Sequence, residues 1–248
     1  MLRICLVSNR LLRPDRSLVA LLEEAAAAGV DRILLREKDL GDRDLYELAC
    51  ATVRACRPHG CKIFVSGRAD IAAASELEGV HLPSDGISVA EARAAGGVRL
   101  EIGVSTHSIE EAKAAEQAGA DYVFLGPVYP TIGKPAPLGI GMLEDTLNAV
   151  RMPVYAIGGV DRDSVQDLAR LPIAGVAVIR GILAQPDIPA AVGVLRAKLS
   201  RGLLEQTRAA SGPPETGGAE EPPEEDEDQG EGEQEDEEPD DEGGWGYH

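Results

Sequence analysis

The sequence predicts an α/β fold, a (β/α)8 TIM barrel followed by a disordered acidic C-terminal tail. Three observations predict it. Short apolar runs recur eight times before about residue 180, and Ala-, Leu- and Glu-rich stretches of helical character lie between them. The last part of the chain is dense in acidic residues and nearly free of apolar ones. We therefore assign residues 1–207 to the barrel and residues 208–248 to the tail.

Eight strands are predicted from runs of four to seven mostly apolar residues, the pattern of parallel strands that are covered on both faces. Eight regular repeats favour a closed barrel over an open doubly wound sheet. No GxGxxG follows an early strand, so no dinucleotide site is predicted. The predicted strands are 3–9, 32–36, 62–66, 79–82, 101–105, 122–126, 154–158 and 175–180.

Helices are predicted at 17–29, 108–119, 161–170 and 188–199. Gly29 and Gly119 end the first two, as glycine commonly does at helix C-termini. The second begins Ser108-Ile-Glu-Glu, which predicts a capping box between Ser108 and Glu111.

The net charge of -19 is concentrated in the tail, where residues 212–248 hold 17 Asp and Glu and no Lys or Arg. The preceding residues hold 26 acidic against 24 basic side chains, a net charge of -2. A nearly neutral body gives no reason to expect nucleic acid or an anionic membrane as a partner. The tail has too little apolar surface to offset its chain entropy, which predicts disorder. The alternative is a tail that binds a basic partner.

The four cysteines, Cys5, Cys50, Cys56 and Cys61, include no CxxC pair. They are expected to be reduced, mostly buried thiols, which fits a cytoplasmic protein. No signal peptide is predicted at Met1, and no apolar run approaches the ~18 residues that would span a bilayer.

In a barrel of this kind the chemistry lies at the C-terminal ends of the strands. Gly158 and Gly159 follow the seventh predicted strand, and Arg180 and Gly181 end the eighth. Loops at these two places commonly bind phosphate through backbone N–H groups. A phosphorylated small molecule is therefore predicted as the ligand, since cations stand at the same rim: Arg36, Lys38, Lys134 and Arg180. The alternatives are that Gly-Gly is only a tight turn and that Arg36-Glu-Lys38 is a solvated loop.

Several stretches, taken together, resemble the thiamine phosphate synthase/TenI superfamily. They are LLREKDL at 34–40, GRADIA at 67–72, GVHLPSDG at 79–86, IGVSTHSIEEAKAAEQAGADYVFLGPVYPT at 102–131, AIGGV at 156–160 and GVAVIRGI at 175–182. The similarity covers residues 3–200 in order, and the family fold is the (β/α)8 barrel.

The resemblance implies a phosphorylated thiazole as ligand, and a pyrimidine diphosphate as well if the protein is a synthase. It leaves a homodimer open. Arg36 and Lys38 would face the diphosphate. The implied substrate-binding residues are Arg36, Lys38, Ser66, Thr131, Gly158, Gly159, Ile179 and Arg180, with Ser105 and Lys134 between the two ligands.

The sequence departs from the synthase pattern at its Mg²⁺ site. In that pattern an Asn-Asp pair follows the third strand, and an Asp ends a sequence like HLGQED after the fourth. Here the two places read Ser66-Gly67 and His81-LPSDG, so Gly67 and Gly86 stand where carboxylates would bind the metal. Asp70 and Asp85 are the candidate Mg²⁺ ligands if the protein is a synthase; otherwise no cofactor is expected.

The SGRADIA and HLPSDG segments resemble the TenI branch, whose members aromatise a thiazole carboxylate phosphate by proton transfer. That reaction needs a general base and no metal. The branch places a histidine where this sequence has Pro127. The catalytic candidates are therefore His107, Lys134 and Ser105, while His81 is expected to be a packed structural residue.

The leading hypothesis from sequence is a TenI-like thiamine-biosynthesis protein that binds thiazole phosphate, with thiazole tautomerase activity. The alternative is an active thiamine phosphate synthase that joins hydroxymethylpyrimidine diphosphate to thiazole phosphate and releases pyrophosphate. The second alternative, from another class, is a non-catalytic phosphate-ligand-binding or regulatory protein.

Overall fold

Eight parallel strands close into a barrel in chain order, and β8 pairs with β1. The computed structural model describes residues 1–97 and 99–210, so residues 211–248 of the predicted tail lie outside the described residues. The strands are β1 Arg3–Val7, β2 Arg32–Leu35, β3 Lys62–Ser66, β4 Gly79–Leu82, β5 Glu101–Thr106, β6 Tyr122–Leu125, β7 Val154–Ile157 and β8 Gly175–Val178. The predicted (β/α)8 barrel is confirmed, and each predicted strand is found within two residues of its expected ends.

The helices lie between and after the strands. They are α1 Leu18–Ala27, α2 Asp42–Cys56, α3 Ala69–Ala74, α4 Val89–Gly96, α5 Ile109–Gln117, α6 Gly139–Ala149, α7 Val165–Leu168, α8 Arg180–Leu183 and α9 Ile188–Ala210. Two 3-10 turns span Arg10–Leu12 and Arg57–His59. Within the described residues, no helix combines the length and apolar character needed to cross a membrane.

Two helices differ from their predicted extents. The segment predicted as helix over 161–170 is helical only from Val165, because the Asp161 Oδ1 atom accepts from the backbone N–H groups of Asp163 and Ser164 and holds these residues in a turn. The last helix runs from Ile188 to Ala210, beyond the predicted end at residue 199.

The predicted capping box at the start of α5 is half right. The Ser108 hydroxyl accepts from the Glu111 N–H at 3.1 Å, as predicted. The Glu111 carboxylate, however, accepts from the His107 N–H at 2.7 Å instead of from Ser108. A complete capping box, which the sequence analysis missed, begins α4: Ser88 and Glu91 each bond the other's backbone N–H.

Aromatic rings fill the interior of the barrel. Phe64, Phe124, Tyr122 and Tyr155 are all at most 2% exposed, and their ring centroids lie 5.5 to 5.9 Å apart where they pair. Small residues opposite the rings make the space. At Gly103 an added Cβ would lie 2.1 Å from the Tyr122 Cζ atom, so this position admits only glycine while the tyrosine ring stays in place.

A buried arginine closes the N-terminal end of this aromatic cluster. The Arg32 guanidinium carbon lies 4.9, 5.1 and 5.3 Å from the ring centroids of Phe64, Tyr122 and Tyr155. Its Nη2 atom pairs with the Glu101 carboxylate at 2.6 Å. The Nε and Nη1 atoms are buried with no hydrogen-bond partner. The charge is therefore held by one carboxylate and three ring faces.

The four cysteines are free thiols, as predicted. Cys5, Cys56 and Cys61 are buried, and Cys50 is half-buried. Burial raises the pKa of the Cys5 and Cys56 thiols to about 12, so neither is a thiolate near neutral pH.

Candidate active site

The chain that leaves β6 crosses over the end of β7. In this β6 loop (residues 126–138), the Val128 N–H donates to the Ile157 carbonyl at 2.9 Å and the Tyr129 N–H to the Gly158 carbonyl at 3.0 Å. The Tyr129 hydroxyl donates to the Ser164 carbonyl at 3.1 Å. The β6 loop thus continues the pairing of β6 with β7 and forms one wall of the barrel mouth.

Gly158 and Gly159 lie directly beneath this crossing. Their φ angles are +94° and +66°, a region that side chains rarely adopt. A Cβ on Gly158 would lie 2.5 Å from the Pro127 Cα atom, and one on Gly159 would lie 2.6 Å from the Tyr129 Cβ atom. The pair is therefore a tight turn whose backbone must be glycine because the β6 loop packs on it.

The turns after β7 and β8 meet at the rim. At Gly181 an added Cβ would lie 3.0 Å from the Val160 carbonyl oxygen and 3.2 Å from the Asp161 Cα atom. Four backbone amides at these turns donate to no backbone carbonyl of the described chain, apart from any hydrogen bond within a regular strand or helix. They belong to Gly158, Gly159, Ile179 and Arg180. Backbone amides without an internal acceptor can bind an oxyanion, as the family resemblance implies for these four residues.

Thr131 and Lys134 lie at the outer end of the same wall. The Thr131 hydroxyl donates to the Tyr129 carbonyl at 2.9 Å, and its Oγ1 atom is 3.2 Å from the Cβ position of Gly158. The Lys134 N–H donates to the Thr131 carbonyl at 3.2 Å, while its side chain is exposed. Thr131 therefore contacts the glycine turn, and Lys134 extends from the loop that covers it.

The predicted diphosphate side is a separate cavity after β2 and β3. Its volume is about 290 Å³. It brings together three residues predicted to bind substrate, Arg36, Lys38 and Ser66, and it is also lined by Leu35, Glu37, Leu40, Leu45 and Arg68.

Glu37 fixes the cationic loop that follows β2. It is only 6% exposed, and its carboxylate accepts from the Ser8 hydroxyl at 2.6 Å and from the Arg10 N–H at 3.2 Å. The Ser8 Oγ atom in turn accepts from the Arg36 N–H at 2.9 Å. The alternative of a merely solvated Arg36-Glu-Lys38 loop is therefore wrong for Glu37, whose buried charge anchors the loop. The sequence signal that could have identified Glu37 is a carboxylate between two cations, directly after a predicted strand.

A hydrogen-bonded set of side chains runs from the barrel interior to the C-terminal end of β5. The His81 Nε2 atom lies 2.9 Å from the Ser105 Oγ atom, and its Nδ1 atom lies 3.3 Å from the Tyr122 hydroxyl. The imidazole ring packs against Phe124 with 4.1 Å between centroids. Burial, and then the Arg36 charge, lower the pKa of His81 to about 3, so its ring is neutral. His81 is a packed residue, as predicted, but it also bonds the predicted catalytic Ser105.

His107, another predicted catalytic residue, sits where β5 gives way to α5. Its ring is exposed, and its Nδ1 atom donates to the Gly126 carbonyl, which can only accept. In the neutral ring the lone pair is therefore on Nε2. The side chain has the tautomer that a general base at this position needs, and its backbone N–H is used by Glu111.

The two candidate Mg²⁺ ligands differ in their surroundings. Both oxygens of Asp70 accept from Arg68, at 2.9 and 2.6 Å, and Asp70 lines an outer groove of about 510 Å³ between α2 and α3. Asp85 is exposed in the loop after β4. Among the described residues, no group of three or more His, Cys, Asp or Glu is placed to hold a metal. The protein side chains present do not fit the Mg²⁺ site of the synthase pattern.

Comparisons with known proteins bear on the family and on the fold. A family model described as thiamine monophosphate synthase matches residues 4–182. A Geobacter sulfurreducens protein provisionally named thiamine-phosphate synthase is 41% identical over 73% of this chain and 87% of its own length. The thiamine-phosphate synthase of Methanospirillum hungatei is 35% identical over 75% of this chain and 92% of its own. A solved structure described as thiamine phosphate pyrophosphorylase from Pyrococcus furiosus has a TM-score of 0.76 at 31% identity, over 82% of this chain and 97% of that one.

Proposed function

Because the chain belongs to the thiamine monophosphate synthase family, we propose that it is a transferase that joins hydroxymethylpyrimidine diphosphate to thiazole phosphate. The bond between the pyrimidine methylene and the diphosphate oxygen breaks, a bond forms from that methylene to the thiazole nitrogen, and pyrophosphate leaves. This places the synthase, the alternative in the sequence analysis, ahead of the TenI-like isomerase. Relatives at 35% identity that bear the synthase name favour this order.

The observation that carries the proposal is the set of amides beneath the β6 loop. Gly158, Gly159, Ile179 and Arg180 present N–H groups at the meeting of the β7 and β8 turns, and Thr131 closes the site from above. We assign the phosphate of the thiazole to these amides. Backbone donors fixed by packing hold a phosphate without any rearrangement when it binds.

The leaving diphosphate is assigned to the cavity after β2 and β3. Arg36 and Lys38 line this cavity, and the buried Glu37 carboxylate fixes their loop through Ser8. Guanidinium and ammonium groups stabilise the charge that develops on departing phosphate oxygens. We assign Lys134, which is exposed on the β6 loop, as a third cation for the phosphate groups of the ligands.

A paired assay tests the proposal. The full chain is incubated with hydroxymethylpyrimidine diphosphate and thiazole phosphate, with Mg²⁺ and with a chelator, and thiamine phosphate is measured. We expect thiamine phosphate to form, and the two arms show whether the reaction needs Mg²⁺. An Arg36→Ala/Lys38→Ala variant should lose most of the rate while keeping its melting temperature. Absence of product from a folded, phosphate-binding wild type rejects the synthase proposal.

A second candidate, thiazole tautomerisation, is favoured by one specific observation. Gly67 and Gly86 stand at the metal-binding positions, and the His107 ring has its lone pair on Nε2, ready to accept a proton. In this reaction a base removes a ring proton from the thiazole carboxylate phosphate, a proton is returned to the exocyclic carbon, and the ring becomes aromatic. The absorbance change on aromatisation should be lost in His107→Ala if His107 is the base. If neither reaction proceeds but thiazole phosphate raises the melting temperature, the protein is a binder.

A further inference from the structure

The Tyr122 hydroxyl determines which group donates in the two hydrogen bonds that join Tyr122, His81 and Ser105. Tyr122 is 2% exposed, and burial raises the pKa of its phenol well above the usual value, so the hydroxyl keeps its proton. Among the described residues its oxygen has one hydrogen-bond partner, the His81 Nδ1 atom at 3.3 Å. The ring also packs against Phe64, Phe124 and Tyr155. The Arg32 guanidinium, which can only donate hydrogen bonds, lies 5.1 Å from the centroid of the Tyr122 ring.

The phenol proton therefore has one acceptor. If Nδ1 carried the imidazole proton and donated to Tyr122, the phenol proton would be buried without a partner, which is energetically unfavourable. The lower-energy arrangement has Tyr122 donating to Nδ1. The neutral His81 ring then carries its own proton on Nε2 and donates it to the Ser105 Oγ atom, 2.9 Å away.

Ser105 is the end of this chain of donors. Its oxygen accepts from His81, and no other hydrogen bond of its side chain is formed within the described residues. Ser105 lies next to the last residue of β5, at the C-terminal end of the barrel, and it is half-buried. Its hydroxyl proton is therefore left for a group that enters the mouth.

We propose that Tyr122 and His81 are positioning residues that turn the Ser105 hydroxyl into a hydrogen-bond donor to an acceptor atom of the bound ligand. Ser105 is then not a general base, and the role of base falls to His107 or Lys134 wherever one is required. The assignment of Ser105 as a donor to the ligand rests on the proposed function, because that function places a ligand at the mouth. The direction of the hydrogen bonds among Tyr122, His81 and Ser105 does not depend on the proposed function.

Gly103 makes the relay possible. The Tyr122 Cζ atom, which bears the hydroxyl, lies 2.1 Å from where a Cβ of Gly103 would be. Any side chain there would displace the phenol from the histidine. Glycine at position 103 is therefore required to keep the Tyr122 hydroxyl oxygen within reach of His81.

The tautomers give a direct test in the ligand-free full chain. The ¹⁵N-labelled protein is examined by long-range ¹H–¹⁵N correlation, with His81 assigned from a His81→Gln sample. We expect His81 to be protonated on Nε2 and His107, which donates from Nδ1 to Gly126, to be protonated on Nδ1. A His81 ring protonated on Nδ1 overturns the relay, whatever reaction the protein catalyses.

Paired tyrosine variants test the consequence for catalysis. Tyr122→Phe removes the donor, and the matched control Tyr155→Phe removes a buried hydroxyl of the same ring cluster that bonds Arg3 instead. We expect kcat to fall about two- to tenfold in Tyr122→Phe, as for one lost hydrogen bond, with KM little changed and no such fall in Tyr155→Phe.

In a Ser105→Ala background, Tyr122→Phe should cause no further loss. Equal effects of the two tyrosine variants, or additive effects of Tyr122→Phe and Ser105→Ala, overturn the proposal. If the wild type makes no thiamine phosphate, the synthase assignment fails while the tautomer measurement still decides the relay.

Discussion

Single glycines have opposite consequences at different positions of this chain. Gly158 combines a φ of +94° with a Cβ position 2.5 Å from Pro127, so its conformation and its surroundings both exclude a side chain. Gly193 lies exposed within α9, where nothing is within 4 Å of its Cβ position. The first glycine is required by the site, whereas the second weakens a helix.

Alanine at these two positions should therefore shift stability in opposite directions. We expect Gly158→Ala to lower the free energy of unfolding by roughly 2–5 kcal/mol, from left-handed strain and overpacking. Gly193→Ala should raise it by about 0.5–1 kcal/mol. Urea denaturation of the two variants measures both, and a Gly158→Ala protein as stable as wild type would contradict the packing described for the β6 loop.

The buried Arg32–Glu101 pair gives a second test at this scale. Glu101→Gln leaves the guanidinium charge buried among three rings, and should cost roughly 2–4 kcal/mol, less than for a fully buried pair because Glu101 is 24% exposed. Arg32→Met removes the charge together with two nitrogen atoms that have no hydrogen-bond partner, and should cost about 1 kcal/mol or less. Denaturant midpoints decide this, and a larger loss for Arg32→Met than for Glu101→Gln would show that the cation–ring contacts dominate.

At the scale of elements, the sequence predicts what depends on apolar pattern and misses what depends on individual side-chain bonds. The strands were found because residues such as Ile33 and Val80 lie in uniformly apolar runs, as two-sided burial requires. Glu111 was expected to bond Ser108 but bonds His107, because two backbone N–H groups compete for one carboxylate. Glu37 and Tyr122 were missed as site residues because their partners, Ser8 and His81, are distant in sequence.

The helix N-caps test how much a side-chain cap bond contributes to the free energy of unfolding. Ser88 forms the full capping box of α4, while Ser17, at the N-cap of α1, makes no side-chain cap bond. Ser88→Ala should lower the unfolding free energy by about 1 kcal/mol, and Ser17→Ala by less than about 0.5 kcal/mol. Thermal melts of both variants provide the comparison; equal losses would mean that the Ser88 box adds nothing beyond N-cap geometry.

For the whole molecule, the neutral His81 links folding to pH. Its pKa is about 3 in the folded protein and ~6.5 in an unfolded chain, so between these values the unfolded state binds the extra proton. Stability therefore rises with pH through this window and is lost as pH falls through it, with a slope of at most about 1.4 kcal/mol per pH unit from this group.

Comparison of unfolding free energies at pH 7 and near pH 5 in wild type and His81→Gln measures this contribution. The loss on acidification should be smaller in His81→Gln, while a variant at the exposed His59, His59→Gln, should follow wild type. Identical acid sensitivity in wild type and His81→Gln would mean that the histidine is solvated in the folded protein.

The amides that gather under the β6 loop have a consequence for how such proteins diverge. Main-chain N–H groups persist through almost any substitution, provided that the few glycines beneath the loop stay. The rim side chains are under no such restriction, since residues such as Lys134 and Asp85 contribute little to the packing of the barrel. Under the proposed assignment, one lineage of barrels can keep binding a phosphorylated heterocycle while some members form a bond, others isomerise the ligand, and others lose catalysis.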